Sequence, residues 1–274
     1  MKKREKKINL IIEIILWILS IVVIYPILMV VFTSFKTQGE ASYLNASLPT
    51  EWHFENYAKV MEQGNVLQSL FNSTVITVVS VVIVVLITSM LSYVIVRRNT
   101  KPCRFVFRCM TFGIIAPFAA LPTIELLKAL GLYGGRFGLI CVYSALYIPF
   151  STMLFTSFIK GIPRELDEAA VVDGAKGMRL FARIIFPLLK PVIATTSVLN
   201  FMWIWNELQI PMYLLNSSSK WTLPLSVYNF YGQYSKSWNL VCADMVLISI
   251  PVILVYIFAQ KHIIAGMTAG AVKG

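Results

Sequence analysis

Residues 161–187, with the sequence GIPRELDEAAVVDGAKGMRLFARIIFP, form the longest charge-rich stretch in a very apolar chain. Pro163 suits the first turn of a helix, where its missing N–H costs nothing. Three acidic residues follow it and place negative charge near the positive end of the helix dipole. Gly174 suits a left-handed helix end, and a second short helix is expected until Pro187 stops it. The stretch predicts a compact helix–glycine–helix segment, here called the 161–187 unit.

The first helix of the 161–187 unit is expected to present one narrow face. The residues that share this face at i, i+3, i+4 and i+7 spacing are Leu166, Ala169, Ala170 and Asp173. Because two of the four are alanines, the backbone of another protein could approach the face closely. The pattern therefore predicts a projecting knob rather than a pocket.

The composition is typical of an integral membrane protein. Of the 274 residues, 57% are apolar and 14% are charged, values that fit neither a soluble domain nor a disordered one. Six Trp and twelve Tyr suit a protein with aromatic residues at the membrane interfaces. The four cysteines are scattered, with no C-x-x-C pair and no His partner, so neither a metal site nor a disulfide framework is predicted.

The apolar runs predict an all-α membrane protein with six transmembrane helices. A spanning helix needs about 20 mostly apolar residues, and in lipid the backbone must satisfy its own hydrogen bonds, which favours helix even for runs rich in Val and Ile. The predicted spans are 9–35, 69–96, 105–130, 137–159, 188–215 and 240–260. A basic segment at 1–8 precedes the membrane domain at 9–264, and a short tail at 265–274 ends the chain.

The distribution of charge predicts the orientation. If both termini face the cytosol, 18 of the 24 Lys and Arg residues fall in cytosolic segments, within 2–7, 97–108, 160–190 and 261–273. This excess is the positive-inside bias of membrane proteins. It predicts a cytosolic 161–187 unit and an outer loop at 216–239. Topology and anionic lipid explain the net charge of +11, and no nucleic-acid partner is predicted.

The chain lacks the common catalytic motifs. It contains no G-x-x-x-x-G-K-[ST], no H-E-x-x-H and no G-x-S-x-G. Its two histidines, His53 and His262, are far apart in the sequence. No catalytic residue, metal or cofactor is therefore predicted, and any energy for work would come from another subunit.

The 161–187 unit resembles the EAA loop of the membrane-spanning subunits of bacterial ABC importers. The matching residues are Glu168, Ala169, Ala170, Gly174, Ile184, Phe186 and Pro187. The family usually has Leu where this chain has Phe186, a minor departure because both are apolar.

Other stretches resemble the carbohydrate-importing branch of this family, and within it the permease chains similar to the second maltose permease subunit. They are Tyr25-Pro26, Ser34-Phe35-Lys36, Asn72-Ser73, Leu130-Gly131-Leu132, Trp205-Asn206-Glu207 and the ending GMTAGAVKG at 266–274. The resemblance covers nearly the whole chain. It does not identify the sugar.

The resemblance implies a permease subunit in the bacterial cytoplasmic membrane. Its implied partners are a second permease subunit as a heterodimer, two ATP-binding subunits, an extracytoplasmic sugar-binding protein and the lipid bilayer. The implied ATPase-coupling residues are Glu168, Ala169, Ala170, Asp173 and Gly174, with Glu168 as the charged contact. The implied tail contacts between the ATPase subunits are Gly270 and Lys273.

Asn206 and Glu207 are polar residues inside the fifth predicted span, where a carboxylate is costly unless it is paired or hydrated. They could accept sugar hydroxyls, with Trp203 or Trp205 stacking on a sugar ring. Alternatively, they could form hydrogen bonds across helices and fix the packing of the bundle. The sequence slightly favours the structural role.

Several alternatives stay open. The 216–239 loop could dock a sugar-binding receptor or form an interfacial aromatic belt. The solute could be another, such as a polyamine or phosphate. A stand-alone secondary transporter would need ionisable pairs within the membrane and usually an internal repeat, and a membrane enzyme would need an acid–base or metal constellation. The sequence shows no clear ionisable pair or internal repeat, and it lacks an acid–base or metal constellation.

Overall fold

A computed structural model of the chain describes residues 2–232 and 237–271, which are almost wholly helical. The helices are α1 (Lys2–Ser34), α2 (Gln38–Ala41), α3 (Glu55–Gln63), α4 (Val66–Arg98), α5 (Lys101–Ile115), α6 (Ala120–Ala129), α7 (Arg136–Lys160), α8 (Glu165–Val172), α9 (Gly177–Leu180), α10 (Phe186–Leu188), α11 (Lys190–Asn206), α12 (Gln209–Leu214) and α13 (Trp238–Ala271). A π-helical turn at Phe181–Ile185 joins α9 to α10.

Four helices in the described part of the chain are long and apolar enough to cross a membrane. Their apolar segments are Asn9–Ser34, Val66–Arg98, Arg136–Lys160 and Trp238–Phe258. A fifth crossing is possible if Gly177–Leu188 and Lys190–Asn206, which meet at a bend of 76°, act as one span. The chain is thus a multi-pass helical protein, and the count of six spans stays a prediction.

The third predicted span, 105–130, is not one continuous helix. It is divided between α5 and α6, with residues 116–119 between them. Ala116, which precedes Pro117, is extended at φ −66° and ψ 120°, because the proline ring disfavours helical backbone at the preceding residue. The two prolines of this run, Pro117 and Pro122, predict a broken span, and the structure has the break at Pro117, whereas Pro122 lies in the first turn of α6.

The chain divides into two compact units, of which the first comprises Met1–Leu67 and Leu225–Ile250. A buried amide ties its elements together. Asn56 Nδ2 donates hydrogen bonds of 2.9 Å to the carbonyl oxygens of Ser34 and Lys36. Asn56 Oδ1 accepts a bond of 3.0 Å from Asn239 Nδ2. These bonds fix the end of α1 against α3 and the start of α13.

Lys36, directly beyond the first predicted span, is buried with only 2% of its surface exposed. Its Nζ donates to the carbonyl oxygen of Asn45 at 3.0 Å, to Asn45 Oδ1 at 2.8 Å and to Ser47 Oγ at 3.0 Å. An ammonium group has three N–H donors, so neutral oxygens satisfy all of them. Lys36 therefore fastens the 42–54 loop to the end of α1.

The same loop is held at a second point by Glu40 of α2. The Glu40 carboxylate accepts a hydrogen bond of 2.5 Å from Thr50 Oγ1, and it completes a capping box with Thr37. The bond from Thr50 is the main reason that the pKa of Glu40 lies below its ordinary value.

The second unit comprises Gln68–Pro224 and Pro251–Gly274. One of its cores joins α4, α6, α7, α11 and α12 through Ile76, Leu127, Leu139, Tyr143, Ile204 and Leu214. Another joins α4 and α7 to the π-helical turn and the helices that follow it, through Val85, Phe155, Ile159, Phe181, Ile185 and Leu189. The second core thus connects the membrane helices directly to the segment that follows α8.

One side of α4 carries a row of buried small polar residues, of which the sequence analysis singled out only Ser73. They are Ser69, Ser73, Thr77, Ser80, Thr88 and Ser92, here called the hydroxyl row. Ser92 Oγ donates to the carbonyl oxygen of Thr152 on α7 at 3.2 Å. Small residues let helix backbones approach closely in membranes, and their hydroxyls can bond across the interface.

We expect the Gly138→Ala variant to lower the thermal stability of the purified protein. A Cβ atom added at Gly138 would lie 2.3 Å from the carbonyl oxygen of Leu132, so the backbone must shift, at a cost of about 1–3 kcal/mol. Gly39→Ala is the matched control, because nothing lies within 4 Å of a Cβ at that position. Thermal unfolding in detergent measures both variants, and equal melting temperatures would contradict the expectation.

Candidate functional site

The 161–187 unit folds around α8, which begins and ends as its sequence dictates. Acidic residues occupy its first turn, next to the positive end of the helix dipole. Gly174 adopts φ +82° directly after the helix, and Ala175 N donates to the carbonyl oxygen of Ala170 at 2.9 Å. This 6→1 hydrogen bond is that of a Schellman motif, in which one residue has a left-handed conformation that glycine adopts most readily.

The exposed face of α8 differs by one position from the face predicted by spacing. Ala170 is buried, with 4% of its surface exposed, and Asp167 is half-buried. The exposed face comprises Glu165, Glu168, Ala169 and Val172, here called the docking face. Two predicted coupling residues, Glu168 and Ala169, lie on it, and Ala170 instead packs inside the chain. Asp173 and Gly174 are exposed beyond the end of the helix.

The docking face carries more apolar surface than a solvated loop requires. Val172 is 86% exposed, and three apolar neighbours are also open: Leu166 at 42%, Val171 at 48% and Met178 at 62%. Several exposed apolar side chains interspersed with charged ones are typical of a protein–protein contact. The 161–187 unit therefore presents a surface suited to protein binding, and its acidic residues favour a basic partner.

An ion pair fixes the opposite side of α8 to the end of α4. Arg97 Nε pairs with the carboxylate of Asp167, and the two side chains are 13% and 15% exposed. Arg97 also donates to the carbonyl oxygen of Ile162 at 3.2 Å and to that of Pro163 at 3.5 Å. Arg164 donates in return to the carbonyl oxygen of Val96 at 3.4 Å. Movement of α8 is thereby tied to movement of α4.

Beyond Gly174, the chain returns toward the membrane helices through residues 177–188. The sequence analysis expected Pro187 to stop this helical run, but the run continues through it to Leu188. The π-helical turn that precedes Pro187 accommodates its ring. Phe181 and Ile185 on this turn are buried with Phe155 and Ile159 of α7. The 161–187 unit is thus anchored by an ion pair before Gly174 and by an apolar core after it.

The second predicted constellation, Trp203, Trp205, Asn206 and Glu207, lies where α11 ends and α12 begins. Glu207 is extended at φ −72° and ψ 125°, and its Oε1 accepts from Gln209 N at 2.8 Å and Ile210 N at 3.2 Å. The carboxylate therefore caps the first turn of α12. This local role differs from the cross-helix hydrogen bond that the sequence analysis weighed.

The other three residues of the constellation lie in different environments. Asn206 is exposed and donates to the carbonyl oxygen of Met202 in its own helix at 2.8 Å. Trp205 is buried, with 3% of its surface exposed, and stacks on Phe201 with ring centroids 5.2 Å apart. Trp203 is 39% exposed and stacks on Tyr147 of α7 at 5.6 Å. Trp203, unlike Trp205, can meet a solute.

Residues 219–223 of the 216–239 loop are held to α4 within the second unit. Asn72 Nδ2 donates to the carbonyl oxygens of Ser219 at 3.0 Å and Trp221 at 2.9 Å. Ser73 Oγ accepts from Leu223 N at 2.7 Å. The Asn72-Ser73 pair noted in the sequence is therefore a clamp on this loop. Residues 233–236 of the loop lie outside the described residues.

Two predicted tail contacts can be placed only in part. Gly270 lies in the last turn of α13, which continues to Ala271, whereas 265–274 was expected to form a short tail. Lys273 lies outside the described residues. Within the described ranges, no group of three His, Cys, Asp or Glu side chains is arranged to hold a metal ion.

The long apolar helices, with the 161–187 unit between two of them, define a multi-pass helical membrane protein. The chain belongs to the family described as binding-protein-dependent transport system inner membrane component, whose model matches residues 86–269. It is therefore a permease subunit and not itself the catalyst. This confirms the resemblance to ABC importer permeases.

The chain is similar to curated relatives over nearly its full length. It is 37% identical over 278 residues to the multiple sugar-binding transport system permease protein MsmG of Streptococcus mutans, covering 99% of this chain and 100% of that one. It is 31% identical to the melibiose/raffinose/stachyose import permease protein MelC of Bacillus subtilis, covering 91% of each.

The fold matches a solved importer. A chain from a bacterial ABC transporter involved in the import of the acidic polysaccharide alginate aligns with a TM-score of 0.80 and 24% identity, covering 93% of this chain and 96% of that one. This likeness establishes the fold.

Proposed function

We propose that this chain is one of two permease subunits of an ABC importer for a sugar or oligosaccharide. Relatives at 37% and 31% identity over almost the whole length are named for sugar transport. The chain matches them through both the coupling unit and the span that holds Trp205-Asn206-Glu207. These shared features support a sugar as the solute, and a non-sugar solute finds no support in them.

The docking face contacts the ATP-binding subunits and transmits their movement on ATP binding and hydrolysis to the membrane helices. The observation that carries this proposal is an apolar, acid-rimmed surface, with Val172 at 86% exposure, on a helix ion-paired to the end of α4. A surface of this kind, placed outside the apolar helices, suits a protein partner. Glu168 supplies the charged contact, and Ala169 allows close approach.

The topology that fits this role places both termini, the α4–α5 turn and the 161–187 unit in the cytosol. The α5–α6 pair and the α11–α12 pair then serve as interrupted spans and bring the number of crossings to six. The proposed partners are a second permease, two ATP-binding subunits and an extracytoplasmic sugar-binding protein. Gly270 and Lys273 are proposed to contact the ATP-binding subunits.

The test of this function uses the reconstituted complex. Proteoliposomes containing the chain with its companion permease, ATP-binding subunits and binding protein are assayed for uptake of a panel of mono- to tetrasaccharides. ATP-dependent uptake of at least one sugar is expected. A cysteine at Ala169 is expected to crosslink to the ATP-binding subunit in a nucleotide-sensitive manner. The proposal fails if the chain alone moves solute into sealed vesicles without nucleotide.

We assign Trp203 to the translocation path and Trp205 to the core. The Trp203→Ala variant is expected to raise the KM for sugar uptake about two- to tenfold, because an aromatic stacking contact contributes about 0.5–1.5 kcal/mol. Trp205→Ala is expected instead to lower thermal stability by about 3–5 kcal/mol, as for other large buried side chains. Uptake kinetics and thermal unfolding separate the two effects.

Trp203→Phe is the control for this pair, because it keeps a ring against Tyr147. It should retain most of the uptake that Trp203→Ala loses. An unchanged KM in Trp203→Ala, in a complex that assembles normally, would remove Trp203 from the path.

A further inference from the structure

A cleft with strongly basic walls lies between the end of α4, the start of α5 and the end of α7. Its volume is about 710 Å³. The charged side chains that line it are Arg97, Arg104, Arg108, Lys160, Arg164 and Glu165. Five cations and one carboxylate therefore face one space, here called the basic cleft. Arg97 and Arg164 hold the 161–187 unit to the end of α4, so Arg104, Arg108 and Lys160 require a separate explanation.

Most of the positive charge of the basic cleft is not neutralised within the chain. Of its cations, only Arg97 takes part in the ion pairs found among residues 2–232 and 237–271. Arg104 donates to the carbonyl oxygen of Asn99 at 3.3 Å, and Lys160 Nζ lies 5.9 Å from the centre of the Phe107 ring. Because a guanidinium has five N–H donors and an ammonium three, these contacts leave donors available for an anion.

Like charges gathered in one cleft repel each other, and an anion between them removes that cost. Arginine binds phosphate oxygens particularly well, since its planar fork offers paired donors. The polar side of the cleft is therefore suited to a phosphate group. The question that remains is whether the phosphate is free or belongs to a lipid.

The surface of α5 next to the basic cleft favours a lipid. Phe105, Phe112 and Ile115 are exposed by 66%, 74% and 79%. On a helix with 3.6 residues per turn, Arg108 falls on the same side as these three residues. An acyl chain can therefore lie along the apolar side of α5 while its headgroup reaches Arg108. A free anion would have no use for this apolar surface.

We propose that the basic cleft binds the phosphodiester headgroup of an anionic phospholipid. Arg104 and Arg108 of α5 and Lys160 of α7 contact the phosphate, and Phe112 and Ile115 support an acyl chain. Because Arg97 and Arg164 line the same cleft and also hold the 161–187 unit, the lipid stands beside the joint between α4 and α8. This binding site does not depend on the identity of the transported solute.

The test measures lipid retention by the purified complex in nanodiscs that contain phosphatidylglycerol or phosphatidylcholine. Native mass spectrometry counts the lipids that stay bound after release from the disc. Arg104→Gln/Arg108→Gln is expected to weaken retention of phosphatidylglycerol about tenfold or more, since each basic residue near the surface adds to the binding of anionic lipid. Arg98→Gln/Lys101→Gln is the matched control, because it removes the same charge from the same turn outside the cleft.

Three outcomes would overturn the proposal. They are equal retention of the two lipids, an equal loss of phosphatidylglycerol in the basic-cleft and control variants, and complete displacement of phosphatidylglycerol by excess inorganic phosphate. The last result would assign the cleft to a free anion. Arg104→Lys/Arg108→Lys keeps the charge and is expected to retain the lipid. It therefore serves as a folded reference if the glutamine variant assembles poorly.

Discussion

The Val172→Asp variant is expected to lose ATP-driven uptake by about 30-fold or more, because a carboxylate buried in an interface without a partner costs at least about 2 kcal/mol. Val172 is 86% exposed on the docking face, so the substitution leaves the fold of the chain intact. If the face docks in another subunit, however, the aspartate would be buried there without a partner. Uptake into proteoliposomes and co-purification of the ATP-binding subunits should fall together.

Val172→Thr is the matched control, because it keeps the shape of the side chain and adds no charge. It should retain most of the uptake and the bound ATP-binding subunits. Normal co-purification of those subunits with Val172→Asp would show that α8 is a solvated loop and would refute docking through this face.

The second large effect is expected when the Arg97–Asp167 pair is broken. Arg97→Glu places two carboxylates together in a site where the side chains are only 13% and 15% exposed. Breaking a buried ion pair costs about 3–5 kcal/mol, and we expect the lower end because some solvent reaches this pair. The 161–187 unit should then detach from α4, so that ATP hydrolysis continues while sugar uptake falls at least tenfold.

A charge swap distinguishes this linkage from general instability. The double variant Arg97→Asp/Asp167→Arg should recover part of the uptake, although not the bonds from Arg97 to the carbonyl oxygens of Ile162 and Pro163. Arg98→Glu reverses a neighbouring charge that forms no ion pair among the described residues, and it should retain coupling. Equal loss of uptake in Arg98→Glu and Arg97→Glu would exclude a specific role for the pair.

The sequence predicted the helix–glycine–helix structure of the 161–187 unit because the signals for it are local. A proline, an acidic first turn and Gly174 determine where α8 lies and how it ends, and each acts within a few residues. The exposed face was predicted one position off, since helical spacing alone cannot tell which side turns inward. Asp167 decides that orientation through Arg97, a residue 70 positions away in the chain that no local pattern links to it.

The membrane helices were predicted with less detail for a similar reason. Hydropathy located the apolar runs and the proline pattern predicted the break at Pro117, but no pattern predicted that Glu207 would hold the start of a new helix inside another run. Glu207 looked like a candidate ligand because a carboxylate in a span needs a partner, and that partner proved to be the backbone of the next turn. The available clue was Pro211, because proline is tolerated in the first turn of a helix and α12 begins at Gln209.

The hydroxyl row along α4 has a mechanical consequence. Because serine and threonine side chains are small, they let neighbouring backbone come close to this side of α4. Ser92 Oγ uses this approach to bond the carbonyl oxygen of Thr152 on α7, whereas Thr88 Oγ1 bonds the carbonyl oxygen of Val84 in its own helix. A row in which some hydroxyls bond within α4 and others bond across to a neighbour holds the packing while leaving room for small shear displacements.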